Sequence, residues 1–344
     1  MAALYPLLDP GGRRAAPGLQ WAFRFGPGGS PETRPIDDAI PLADEGWLWL
    51  HFDLIDQRSR VWLTAQPHFG LVVREELFSS DDHQQLWMPD QQCLLGSLAD
   101  TVRHLDGAAS KVGYWRFIMN ERIVVSGGRQ ALSALEVVRA AIQQGRPMPE
   151  PANLLEAVLD QMMADLDAAM CGLSAAFDEI EDHVLADAIR DERKQLGRLR
   201  RRAVQAHRRL AGLLTLFRRL ETEGDGQMAP VLRAMISRVA PRLAALDHEA
   251  TATQERGRFL QDEIAAKLAT EANRHLHALS ILTSVFLPPT LIVGIFGMNI
   301  DNLPLIHSNL AFLWIALLSV LSGIGALVLL RRATEWFRSR GLLR

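Results

Sequence analysis

Cysteine is scarce: two in 344 residues, Cys93 and Cys171, in no CxxC or CxxH pattern. That spacing excludes a disulfide framework and a thiolate zinc site, and it points to reduced, packed thiols. An excess of basic charge is also lacking. The formal net charge is −3, which removes the electrostatic footprint of a nucleic-acid partner. No GxxxxGKS or GxxxxGKT loop, no HExxH pair, no Ser-His-Asp order and no paired catalytic carboxylates occur. The expectation is therefore a protein that is not an enzyme and holds no bound organic cofactor.

The most informative absence is local. Residues 278–300 contain no Asp, Glu, Lys or Arg, and neither do residues 310–330. Each run exceeds the roughly 20 residues that an α-helix needs to cross about 30 Å of hydrocarbon. Two transmembrane helices are expected. A buried core hairpin would need protein on every side, and only fourteen residues follow Leu330. Those residues, "RRATEWFRSRGLLR", carry five arginines, which places that end in the cytoplasm. With two spans, the large N-terminal part lies on the same side; its opening "MAALYPLLDPGGRR" has no apolar core of a signal peptide. The expected location is the inner (plasma) membrane, with both ends cytoplasmic.

The soluble part reads as two pieces. Residues 1–148 alternate strand and helix signals: "LQWAFRF", "WLWLHFDLI" and "QCLLGSLADTV" are aromatic or β-branched runs, and "YWRFIMNERIVVSGG" reads as a hairpin turning at Asn120 and Glu121. "RSRVWLTAQ" and "VVREELF" have helical spacing. This predicts an α/β domain, so the fold class is α+β with a long helix and two membrane helices following. Residues 149–225 keep apolar residues at spacings of three and four and read as a helical hairpin. Residues 226–277 form a stalk helix that continues into the first span, 278–300. Pro241 interrupts it, as a kink or as its true beginning. From Ala240 to Met298 such a helix rises about 90 Å. A loop, 301–309, joins the second span, 310–330, and a basic tail, 331–344, closes the chain.

Spacing alone suggests a pore. Steps of three and four back from Gly297 select Gly294, Thr290, Leu287, Thr283, Ser280, Leu276 and Asn273, one stripe of a helix. It collects small and hydroxyl-bearing residues while the other faces carry Ile281, Leu282, Val285, Phe286, Ile292 and Phe296. Such residues also let membrane helices pack closely. If they line a pore, two spans cannot enclose it, and several copies must supply the stripe around an axis. Leu287 and Leu276 would then form apolar collars able to dewet. Pro288 and Pro289 free the carbonyls of Ser284 and Val285, which need a partner.

This arrangement, with Gly297-Met298-Asn299 directly after the first span and Pro304 five residues beyond, resembles the CorA family of divalent-cation transporters. The resemblance covers nearly the whole chain. It implies a homopentameric funnel whose first spans line the pore, with the side chain of Asn299 holding a hydrated cation at the outer mouth. It also implies Gly297 as a carbonyl contributor and Thr290 as pore-lining. A side-chain amide replaces outer-shell water without trapping a small divalent ion as a ring of carboxylates would. The transmembrane potential favours import by about 2.3 kcal/mol per charge per 100 mV.

Magnesium-type members follow the motif with a loop ending in Pro-Glu-Leu. Here the loop reads "IDNLPLI", with Leu305 at the glutamate position and Asp301 as its one carboxylate. That, with "WLWLHFDLID" and the arginine-rich tail, looks more like the zinc-transporting ZntB branch, although that branch commonly has Ile at the position of Met298. Zinc is the leading cargo, with magnesium or cobalt as the alternative. A signalling or scaffold protein tethered by two spans is the reading from another class. His275 and His277 are two apart and face different sides of a helix. His307 could join Asp301 at the outer rim. His51 and Asp53 share a strand face and read as a regulatory ion site or as a hydrogen-bonded pair. Asp178, Glu179, Glu181 and Asp182, beside His183, read as a regulatory metal site or as a solvated acidic face. The basic stretch from Arg193 to Arg209 has the opposite sign and would pair with acidic helices or touch anionic lipid.

Overall fold

The computed structural model describes residues 16–35, 45–65, 76–90, 93–102, 112–186, 192–223, 228–298 and 310–339. The chain divides into two units, Met1–Leu260 and Gln261–Arg344. In the first, seven strands form one sheet in the order β2-β1-β3-β7-β6-β5-β4. They are β1 (Leu19–Phe25), β2 (Pro31–Arg34), β3 (Trp47–Asp53), β4 (Gln85–Asp90), β5 (Cys93–Thr101), β6 (Val112–Met119) and β7 (Ile123–Gly128). Every pairing is antiparallel except β3 with β7. The hairpin expected at Asn120 and Glu121 is present: Asn120 donates its amide to the Ile123 carbonyl, and its side chain accepts from the amides of Arg122 and Ile123.

The central strand β3 is buried along nearly its whole length, so both faces of the sheet are covered. One face stacks aromatic rings across β1 and β3, Phe25 on Trp47 at 4.0 Å and Trp21 on His51 at 4.0 Å between centroids. Arg139, from helix α2 (Ser133–Gln143), lies over Trp21 at 4.9 Å. The other face packs Ala22, Leu48, Leu50 and Phe52 against Trp62 and Leu63 of α1 (Gln57–Thr64). Helix α2 has Leu132 at its N-cap, a residue that cannot accept the first-turn amides. Asp100 of β5 supplies the cap instead, accepting from the Ala134 amide at 2.9 Å.

Two long helices follow, α3 (Pro151–Leu185) and α4 (Glu192–Glu223). Helix α3 opens with Pro151 and a reciprocal cap between Glu150 and Asn153. Helix α5 spans Pro230–Phe296, 67 residues, and passes through the boundary between the two units. Of the two readings of Pro241, the one that makes it the beginning of the helix does not hold. Pro230 opens it, and Pro241 is an internal residue on the exposed side, where water can serve the carbonyl left without a donor. Among the described residues, three arginines tie its first half to α3: Arg238 to Glu156 at 2.7 Å, Arg242 to Asp160 at 2.6 Å, and Arg256 to Asp178 at 2.6 Å and to Glu181. His207 of α4 lies 3.2 Å from Asp247 of α5. Gly257 lets the three helices close up, since a Cβ there would stand 2.9 Å from the Phe177 ring and 3.1 Å from Arg200. Helix α6 (Ala311–Ser339) ends the described chain and continues past Leu330, the expected end of the second span, into the basic segment.

Candidate functional site

Helices α5 and α6 are both long and apolar enough to cross a membrane. None of the apolar window of α5 and 6% of that of α6 is buried, whereas a core hairpin of a water-soluble domain would be mostly covered. Leu282, Phe286, Leu291, Val293, Phe312, Leu313 and Leu317 are all at least half exposed. Such a surface is compatible with lipid as solvent.

The two helices meet along one side of each. On α5 that side carries Ile281, Ser284, Val285, Pro288, Pro289, Ile292 and Phe296, all half-buried. On α6, Ser319 and Gly323 are buried. A Cβ built on Gly323 would lie 3.4 Å from Cγ of Pro289 and 3.5 Å from the Val285 carbonyl oxygen. The proline pair thus sits against the smallest residue of the neighbouring helix. The sequence reading left this contact open, yet its signal was present: Ser319 and Gly323 have the small-xxx-small spacing that brings membrane helices together.

The stripe selected by spacing faces elsewhere. Asn273, Leu276, Ser280, Thr283, Leu287, Thr290, Gly294 and Gly297 are all exposed in the single chain. A shallow groove runs past Thr283, Leu287, Thr290, Gly294 and Met298. Both threonine hydroxyls turn their protons back into the helix: Thr283 Oγ1 donates to the Leu279 carbonyl at 2.9 Å and Thr290 Oγ1 to the Phe286 carbonyl at 2.7 Å. With its one proton so used, each hydroxyl presents lone pairs outward. The helix then closes as Gly297 donates to the Val293 carbonyl at 2.8 Å and Met298 to the Ile295 carbonyl at 3.3 Å. Asn299, Asp301 and His307 lie outside the described residues.

The regulatory sites expected in the soluble part look different in three dimensions. His51 is 3% exposed and is not paired with Asp53. Its Nδ1 is 2.8 Å from Ser126 Oγ, and Asp53 accepts from the Ile55 amide. Burial, reinforced by the Arg139 charge, pushes the imidazole down from 6.5 to about 3, so it is a neutral core residue. In the acidic segment, Arg256 binds Asp178 and Glu181, and His183 faces Glu192 at 3.1 Å. Glu179 and Asp182 point to solvent. Among the described residues no group of three or more His, Cys, Asp or Glu is arranged to hold a metal ion. Of the basic stretch, Arg198, Arg201, Arg202 and Arg208 stand on the exposed side of α4.

A mixed sheet, a helical layer and two adjacent apolar helices long enough to cross a membrane define an α+β protein with two candidate membrane spans. Residues 44–332 match the family described as "CorA-like Mg2+ transporter protein". The chain belongs to this family of metal-ion transporters. It is 25% identical over 279 residues to the zinc transport protein ZntB of Yersinia enterocolitica, covering 81% of this chain and 84% of that one. Its fold is shared with full-length CmaX (TM-score 0.75, 20% identity, 92% of this chain and 97% of that one). It is shared also with the CorA magnesium transporter of Methanocaldococcus jannaschii (TM-score 0.72, 16% identity, 91% and 97%).

Proposed function

We propose that the chain carries divalent cations, zinc first, across the membrane through a pore lined by the exposed stripe of α5 from several copies, five by resemblance to the family. The observation that carries this reading is the orientation of Thr283 and Thr290: exposed, on the side of α5 that does not meet α6, with their protons committed to the backbone. Rings of such hydroxyls offer acceptors to the waters of a hydrated cation and no donors to an anion. Leu276 and Leu287 supply the apolar collars between them, and Gly294 and Gly297 keep the outer end wide. Asn299 is the ligand for the hydrated ion at the mouth, with Met298 beside it and Asp301 as the one carboxylate of the loop. Asn273 stands at the inner end of the stripe.

Zinc is favoured over magnesium or cobalt by the loop, where Leu305 replaces a glutamate, and by the relative whose name states zinc transport. Both chain ends are assigned to the cytoplasm by the arginines that follow the second span. The test is uptake by the purified chain in liposomes, comparing zinc, magnesium, cobalt and nickel with and without an imposed proton gradient. Zinc uptake exceeding that of magnesium supports the assignment; the reverse order makes the chain a magnesium-type channel. Asn299→Ala is expected to abolish most of the flux, and full flux in that variant would remove Asn299 from the mouth.

A further inference from the structure

The double proline of α5 is a mechanical weak point with a defined neighbour. Pro288 and Pro289 remove two consecutive amide donors, so the carbonyls of Ser284 and Val285 lose their i+4 partners. A helix that has lost two adjacent bonds bends readily unless something outside holds it. What lies there is the backbone of α6 at Gly323, a methyl's contact away from both the Pro289 ring and the Val285 oxygen. No side chain intervenes at this point. One turn earlier on the same face, Ser319 is 9% exposed and its Oγ has no partner, so the side of α6 that bears on α5 is small throughout this turn. On α5, Leu287 and Thr290 flank the proline pair in sequence and face the exposed groove.

We propose that Gly323 is a positioning residue for conduction: by letting α6 bear directly on Pro289 and Val285, it sets the course of α5 at the proline pair and with it the spacing of the Leu287 and Thr290 rings. This rests on the pore reading above. Size at position 323 is then transmitted through the proline pair to the pore. An alanine fits, because its Cβ would make ordinary van der Waals contacts at 3.4 and 3.5 Å. A valine must push Pro289 away, and Thr290 with it.

The test uses the full chain in liposomes with Gly323→Ala, Gly323→Val and Gly325→Val. Gly325 is on the same helix with nothing within 4 Å of a Cβ built on it, so it controls for size and β-branching alone. Gly323→Val is expected to change the zinc-to-magnesium flux ratio by about tenfold or more, as an ångström-scale misplacement does elsewhere. Gly323→Ala and Gly325→Val should stay near the parent ratio. A second readout does not depend on transport. In a chain with Cys93→Ser, Cys171→Ser and Thr290→Cys, the labelling rate by a water-soluble thiol reagent should shift with Gly323→Val and not with Gly325→Val. If Gly323→Val matches Gly325→Val in both measurements, the inference is overturned. If the parent chain moves no divalent ion, the pore reading fails by itself, and the labelling rates still decide whether position 323 sets the exposure of position 290.

Discussion

Arg256 of α5 binds Asp178 of α3 at 2.6 Å and reaches Glu181, one turn along the same helix. The guanidinium is held above its usual range by hydrogen bonds first to Glu181 and then to Asp178. All three side chains are between a third and three-fifths exposed, so solvent screens them. Arg256→Gln should therefore cost only about 0.5–1 kcal/mol. It also frees two carboxylates at i and i+3. Millimolar zinc or magnesium should then raise the unfolding temperature of the variant more than that of the parent chain. An equal rise in both would show that this acidic segment does not take up cations even when released from its arginine.

Two buried groups give the stability opposing pH slopes. Burial pushes the Asp100 carboxyl up from 3.8 to about 6, against the amides of Thr101 and Ala134 that hold it down, with Asp165 adding to the rise. The folded state then binds a proton that the unfolded state has released, so this contribution is present below about 4 and is lost as pH rises to about 6. His51 acts in the reverse sense: its contribution is present above 6.5 and is lost as pH falls toward 3. The two partly cancel between pH 4 and 6. Asp100→Asn keeps an acceptor for the α2 cap and removes one slope. Its melting temperature should climb more steeply with pH across that window than the parent's, and parallel curves would count against the assignment.

At Gly257 the obstacle is a ring that cannot move. Phe177 is fully buried, and a Cβ on residue 257 would press on it at 2.9 Å. Overpacking of this kind costs about 1–3 kcal/mol, more than the roughly 1 kcal/mol that alanine gains over glycine in a helix. Gly257→Ala should lower the melting temperature. Restored stability in the double variant Gly257→Ala, Phe177→Leu would confirm the contact as the cause.

Thr290 can be separated from its shape. Thr290→Val keeps the branched side chain and removes the oxygen; cation flux should fall by roughly tenfold, about 1.4 kcal/mol on the barrier. Thr290→Ser restores the acceptor and should restore most of the flux. Equal flux in the valine variant would mean that the hydroxyl lines no part of the path.

Much of this molecule was legible in one dimension because its strongest signals are local. Two uncharged runs, five apolar strands and the three-and-four spacing of α3 and α4 need no partner to be seen. The edge strands escaped for the opposite reason. Strand β2, "PETR", is polar throughout, and β4 contains Pro89; both stand at the ends of the sheet and take their conformation from a neighbour. Helix α2 did carry a readable stripe of Ala134, Leu135, Val138 and Ile142. The start of α5 at Pro230 also followed the preference of proline for a first helical position. Long-range partners were the real gap. His51 finds Ser126 only because β3 and β7 lie parallel in that register. Arg256 meets Glu181 across 75 positions of chain. The stripe of α5 could be placed on one helix face from spacing, but only a second helix occupying another face shows which side is left open.

The rank of stacked rings on β1 and β3 also makes the protein its own optical reporter. Trp47, Trp49 and Trp115 are at most 1% exposed, while Trp314 of α6 is 53% exposed on an apolar helix. A water-borne quencher such as acrylamide would leave Trp47, Trp49 and Trp115 bright, and a nitroxide carried on a lipid chain would dim Trp314. Emission from one unlabelled sample can thus follow melting of the sheet and insertion of the last helix as separate signals.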